Sequence, residues 1–373
     1  MLFIPEYDIH LHGLTNFIVE VTQRCNFRCK YCCFSGDYDG MRHHNKNSMS
    51  KATALKVIDF ICLHAVKEGP LYVSFYGGEA LLNPDVIKLI VENLQLRFGN
   101  RLIFDISTNG YLLDTNVVNY ILTIPNLNIS VSIDGIEAIH DKNRLHISGA
   151  KTYRKIVNNL LFFKNKNQKE YRKRIRILIT AGSLDDISAI DCSFDVLKLL
   201  NGDKPILVSH LLPNFSKNIL YRDSIESKIA FIKDAIEYKK AGVNNLHTLI
   251  LDELQRKKIQ KFKCVDCNTL KLQLHTCVNH LQSCFINIFG EIFPCEKVKP
   301  IHSIGDVYSG FDLEKIRTLM IKYSIRRNIM CRNCNYATYC KRCIIDLNFS
   351  LAQQQVMCAE YKENINLALK YSK

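Results

Sequence analysis

The chain has 373 residues, 47% of them apolar, and a formal net charge of +14. That length can bury one large core plus a smaller unit. No apolar run of about 18 residues exists to span a membrane, and the N-terminus MLFIPEYDIHLHGL lacks the basic start and apolar stretch of a signal peptide. The expected location is therefore the cytoplasm. Of the sixteen cysteines, four sit at 25–33, Cys62 and Cys192 stand alone, and ten fall between Cys264 and Cys358. In a long cytosolic chain two such groups point to metal or catalysis rather than to disulfides. Much of the positive charge lies in Lys151–Arg176 and Arg256–Lys263. It reads as a solvated helix face, or as a surface for an acidic peptide or nucleic acid.

In chain order, strands are expected at Asn16–Thr22, Leu71–Tyr76, Leu102–Ser107, Leu127–Ile133, Ile175–Thr180 and Ile206–His210. Each is dense in Ile, Val, Leu or Phe, as parallel strands buried on both faces should be. Helices are expected between them at Lys51–Lys67, with Ser50 as N-cap, and at Pro84–Phe98, with Asn83 before an N1 proline. Others follow at Thr152–Lys164, Ile187–Leu200 and Ser224–Lys240. Six strand-then-helix units predict an α/β fold, a partial (β/α)6 TIM-like barrel, with a flat doubly wound sheet as the alternative. The alternation fades after residue 240. From Cys264 the chain is loop-rich and Cys-rich, with a hairpin signal in CFINIFGEIFPC. The expected division is 1–240, a linker at 241–263, and a second unit at 264–373 ending in a helix.

The first cysteine group reads VTQRCNFRCKYCCF and follows directly on the first strand, at the end where parallel α/β folds place their sites. Cys25, Cys29 and Cys32 can hold three irons of a [4Fe–4S] cube and leave the fourth open to a small molecule. A zinc site would want a fourth protein ligand. Cys33 reads as a spare structural thiol.

Cys25-x3-Cys29-x2-Cys32, with Tyr31 before the last cysteine, resembles the radical SAM superfamily signature. Phe75-Tyr76-Gly77-Gly78-Glu79, Ser107-Thr108-Asn109-Gly110 and Ser130-Val131-Ser132-Ile133-Asp134-Gly135 follow at successive strand ends, then His140-Asp141-Lys142-Asn143-Arg144. The resemblance implies a cluster on the three cysteines and S-adenosylmethionine bound near Tyr31, Gly77, Gly78, Glu79, Ser132, Arg144 and Leu212. Cleavage of that cofactor would give a 5′-deoxyadenosyl radical that takes hydrogen from substrate. A low-potential flavodoxin or ferredoxin would supply the electron.

The C-terminal cysteines run Cys277-x12-Gly290-x4-Cys295, then Cys331-x2-Cys334-x5-Cys340-x2-Cys343, then Cys358. This resembles the SPASM domain, whose seven cysteines help hold two auxiliary [4Fe–4S] clusters. One departure is the two-residue gap before Cys343, where three is usual. The fourth ligand of the first auxiliary cluster stays open among Cys264, Cys267, Cys284 or none. Glu296, after Cys295, stands where sulfatase-maturing relatives carry a proton-accepting carboxylate. The local wording is closest to maturases of Cys-rich ribosomal peptides, which join a Cys sulfur to carbon as a thioether. The substrate expected is a peptide or small protein, with a separate leader-binding protein as a further partner. Alternatives are a formylglycine-forming sulfatase-maturase-like dehydrogenase and a zinc-bound, basic nucleic-acid-binding protein.

Overall fold

The computed structural model describes residues 13–36, 40–181, 184–191, 194–203, 206–210, 224–245, 247–248, 250–252, 283–336 and 344–371. Six strands lie parallel and side by side in the order β1 (Asn16–Thr22), β3 (Leu71–Gly77), β4 (Leu102–Thr108), β5 (Leu127–Ser132), β7 (Ile175–Ala181) and β8 (Leu207–His210). Two short strands outside this sheet, β2 (Phe27–Cys29) and β6 (Arg144–His146), pair with each other antiparallel. The helical connections include α1 (Lys51–His64), α2 (Pro84–Phe98), α3 (Thr115–Thr123), α4 (Glu137–Asn143), α5 (Tyr153–Lys166) and α6 (Gln168–Arg174). Further on come α7 (Leu184–Asp191), α8 (Phe194–Leu200) and α9 (Ile225–Lys240). The fold is the expected partial barrel.

Local chemistry sets the helix starts. Ser50 Oγ accepts from Thr53 N at 3.0 Å, Asp114 caps Asn116 N and Val117 N, and Ser224 Oγ accepts from Ser227 N. Asn83 does not cap α2. Its amide instead donates to Val21 O at 2.8 Å and Met49 O at 3.2 Å, which ties the helix start to the end of β1. The helix from Lys51 stops at His64, three residues short of the expectation, because Ala65 turns extended and bridges Leu14. The segment expected as one helix at Ile187–Leu200 is two, α7 and α8.

The barrel strands are not apolar on both faces. In β4, Leu102, Phe104 and Ile106 are buried against helices, while Ile103, Asp105 and Ser107 on the alternate face are only partly covered. Glu20, Tyr76, Ser130, Ser132 and Thr180 hold lumen-side positions on their strands. The outer face makes the core, where Phe75 and Phe104 stack at 6.0 Å. The lumen is left polar and can bind.

The C-terminal hairpin extends the barrel sheet. β9 (Ser283–Ile286) runs parallel to β1, pairing Phe17 with Cys284 and Ile18 with Phe285. β10 (Glu291–Phe293), β11 (Gly305–Asp306) and β12 (Gly310–Phe311) follow, each antiparallel to the one before. An open barrel leaves β1 with unpaired backbone groups, and β9 satisfies them. Gly290 turns the hairpin at φ 86°, where a Cβ would sit 2.6 Å from Val307 Cγ2. Helices Leu313–Cys331 and Leu351–Tyr371 complete the chain, with a short turn at Ile344–Asn348 between them. Among the described residues no helix is long and apolar enough to cross a membrane.

Candidate active site

The three-cysteine loop leaves the C-terminal end of β1. Phe27 N donates to Cys25 Sγ at 3.4 Å, β2 sets Cys29 opposite Arg144, and Cys32 N closes a turn onto Cys29 O at 3.1 Å. All three thiols line one cavity of about 520 Å³. Burial pushes Cys25 up to about 12 and Cys29 and Cys32 up to about 11, with Arg144 pulling the last two partly back. Thiolates so placed need a cationic partner. Among the described residues no three such side chains converge on a single ion. Three thiols lining one cavity beyond the end of β1 fit a cluster that keeps one iron without a protein ligand.

Gly77 and Gly78 have a backbone reason to be glycine. Gly78 N donates to Thr22 O at 2.9 Å and Glu79 N to Arg24 O at 2.8 Å, zipping the end of β3 onto the strand leading to Cys25. A Cβ at Gly77 would lie 2.2 Å from Thr22 O; one at Gly78 would lie 2.2 Å from Arg24 O and 3.0 Å from Cys25 Cβ. Glu79, 1% exposed, accepts from Thr108 Oγ1 and Asn109 N at 2.7 Å each and from Leu81 N at 3.1 Å. Burial raises its carboxyl, and those bonds draw it back. It locks the β3 end to the β4 end on the cavity wall.

Arg144 is held by Asp134, a residue of the Ser130–Gly135 strand end. Asp134, fully buried, accepts from Arg144 Nε at 2.8 Å, from Thr180 N at 3.0 Å and from the Tyr31 hydroxyl. The guanidinium also lies 5.2 Å from the Tyr31 ring centre and reaches Thr180 Oγ1 at 3.3 Å. One carboxylate thus joins the cysteine loop, β6 and β7. Ser132 ends β5 on the same cavity. The signal was available: a buried arginine ten residues from an aspartate needs a counter-ion.

The C-terminal region contributes to the same cavity. Lys297, Lys299, Ile345, Asn348, Phe349, Ser350 and Gln353 line it together with Phe34, Met41, His44 and Tyr76. Asn348 fixes that turn, donating to Lys297 O at 2.6 Å and accepting from Lys299 N at 2.9 Å. His44 Nε2 lies 3.4 Å from Cys32 Sγ. Burial pushes the Tyr76 phenol well above its ordinary range. Glu296 is not in the lining; its Oε2 accepts from Cys295 Sγ at 3.3 Å. Cys331 ends its helix and accepts from Cys334 N at 3.1 Å through the backbone, and Cys358 lies in the last helix. Cys284 is buried in β9, its thiol pushed far up by burial. Leu212, Cys264, Cys267, Cys277, Cys340 and Cys343 lie outside the described residues.

A partial (β/α)6 barrel with three cysteines beyond its first strand, a Gly-Gly-Glu end on the second and an anchored arginine defines a radical SAM enzyme. Residues 19–188 match the family described as "Radical SAM superfamily" and form a radical SAM domain. The superfamily's cofactors are a [4Fe–4S] cluster and S-adenosylmethionine.

Among curated proteins, the chain is 23% identical over 326 residues to an uncharacterised protein of Methanocaldococcus jannaschii, covering 83% of this chain and 93% of that one. It is 22% identical over 347 residues to the cysteine-type anaerobic sulfatase-maturating enzyme of Clostridium novyi, covering 89% and 87%. Among solved structures, native anSMEcpe with bound AdoMet superposes with a TM-score of 0.69 at 18% identity, covering 95% of this chain and 97% of that one.

Proposed function

We propose that this enzyme modifies a cysteine-containing peptide, joining a Cys sulfur to a carbon of another residue as a thioether. The carrying observation is that one cavity is lined both by the cysteine loop with the β3–β7 ends and by residues between 297 and 353. A site built from two parts of the chain has room for a cofactor and a second, extended occupant. When bound, the cluster and S-adenosylmethionine supply a hydrogen-abstracting 5′-deoxyadenosyl radical. Gly77, Gly78, Glu79, Ser132, Arg144, Tyr31 and Leu212 would hold the cofactor. The abstracted hydrogen would leave in 5′-deoxyadenosine, Glu296, beside the lining residue Lys297, would take the thiol proton, and an auxiliary cluster would take the surplus electron.

In this reading residues 1–240 are the radical SAM core, 241–263 the linker and 264–373 a SPASM unit. Cys277, Cys295, Cys331, Cys334, Cys340, Cys343 and Cys358 serve two auxiliary [4Fe–4S] clusters. The enzyme works in the cytoplasm with a flavodoxin- or ferredoxin-like donor, and a separate protein recruits the peptide leader. The test is anaerobic reconstitution with iron counting, followed by mass spectrometry of 5′-deoxyadenosine and peptide. The expected product has lost two hydrogens. Replacing Cys25, Cys29 and Cys32 by Ala should remove about four irons and abolish cofactor cleavage; retained cleavage would sink the assignment. A second reading, formylglycine formation, is favoured by the Clostridium novyi relative, which covers most of both chains. Its product from Cys has lost the sulfur, so the same spectrum separates the two.

A further inference from the structure

Tyr76 ends the lumen-facing row of β3, one residue before Gly77, and lines the cavity. Its ring is fixed by neighbours. Phe34 meets it edge-on at 6.3 Å and the Arg42 guanidinium lies 5.8 Å from its centre. Arg42 is itself held over Phe34 at 4.0 Å and Phe285 at 4.6 Å and paired with buried Glu20 at 3.1 Å.

Its hydroxyl, by contrast, is unused. The other lining tyrosine, Tyr31, donates to Asp134, and Thr108 Oγ1 donates to Glu79. No described residue hydrogen-bonds the Tyr76 hydroxyl. Tyr76 is only partly buried and lines the cavity, so its hydroxyl is open to a ligand there.

Position separates the two occupants. β3 lies beside β1, whereas Ser132 and Thr180 end β5 and β7, two and three strands further round the barrel. Tyr76 packs instead with Phe34 and Arg42 of the cysteine loop, and through Arg42 with Phe285 of β9. Lys297 and Lys299 line the same cavity, which suits an acceptor carrying negative charge.

We propose that Tyr76 receives the substrate's cysteine sulfur, its hydroxyl donating a hydrogen bond to that sulfur and aiming it. This rests on the peptide reading above and names the group that positions the reacting atom. It would act before radical chemistry and change no bond itself.

The test is a two-by-two binding experiment on reconstituted enzyme with S-adenosylmethionine bound. Wild type and Tyr76→Phe are each titrated with two synthetic octapeptides identical except for a central Cys or Ala. Wild type should prefer the Cys peptide by about tenfold, and the variant should bind both about equally, the size of one hydrogen bond. Iron content and cofactor affinity should stay unchanged. An equal Cys preference in both proteins overturns the proposal, as does a loss confined to cofactor affinity. Wild type that cleaves the cofactor yet binds neither peptide refutes the peptide reading itself, and this proposal with it.

Discussion

Replacing Asp134 by Asn tests the anchor of the cofactor side of the cavity. The side chain is isosteric, so packing is preserved and only charge and donor pattern change. Arg144 Nε and the Tyr31 hydroxyl both donate to Oδ2, while Thr180 N donates to Oδ1. An amide can place its oxygen toward one side only. Whichever way it turns, its NH2 faces a donor. Arg144 is 7% exposed and also loses its counter-ion. Removing one partner of a buried ion pair costs about 3–5 kcal/mol, because the other charge stays uncompensated. The unfolding free energy in anaerobic urea titration should fall by about that amount, and S-adenosylmethionine should bind at least about tenfold more weakly. Arg144→Gln should couple to it, the double variant losing less than the sum of the singles. A loss under about 1 kcal/mol, or strict additivity, would refute the anchor.

Two further outcomes follow from buried charges. Arg42→Ala strips the cation from Glu20, which is 1% exposed and also accepts from Gln23 Nε2 and Ile288 N; hydrogen exchange should quicken both in residues 40–49 and in β9, and a change confined to the loop would contradict the shared clamp. His140 is held neutral, its pKa lowered to about 4 by burial and by the Arg144 charge. Thr152 Oγ1 donates to Arg144 O, so it accepts from His140 Nε2, while Nδ1 accepts from Asp134 N. The folded value lies below the ordinary 6.5. This stability is therefore complete above about pH 6.5 and drains as pH falls toward 4, on the order of 3 kcal/mol in all. Denaturation at pH 7 and pH 5 should show the drop in wild type and a shallower one in His140→Gln; equal slopes would remove His140 as its cause.

The barrel strands were legible because Ile, Val and Leu runs bounded by turn residues mark them, and all six were placed within a residue or so. Their lumen face was less so. Glu20 in NFIVEVT and Tyr76 in LYVSFYG interrupt apolar runs at inward positions, a signal that burial on both faces does not predict. α3 was missed: TNVVNYILT is rich in β-branched residues, and its Asp114 cap was the available clue. β2 and β6 have three residues each and no pattern of their own. Their pairing exists only because the loop must dock, and it sets Cys29 opposite Arg144. Cys25, Cys29, Cys32 and Arg144 stand out by spacing and resemblance, and all four line the cavity; Asp134 reads locally as a turn residue before Gly135.

The pairing of β9 with β1 decides how the two halves of the cavity relate. Asn16 meets Ser283 across more than 260 residues of sequence, and no local pattern encodes such a contact. Its consequence is mechanical. β1 carries the cysteine loop at its end, Glu20 on its lumen face and β9 on its edge, so one strand fixes the cluster loop, the Arg42 clamp and the C-terminal hairpin together. The turn bearing Cys295, Lys297 and Lys299 follows that hairpin directly. A shift of β9 along β1 would therefore move the C-terminal wall against the cysteine loop, and with it the distance between the radical source and whatever Tyr76 and the lysines hold. In the proposed peptide reaction, whose specificity would depend on which hydrogen stands closest, that register would be a determinant of the product and not only of the fold.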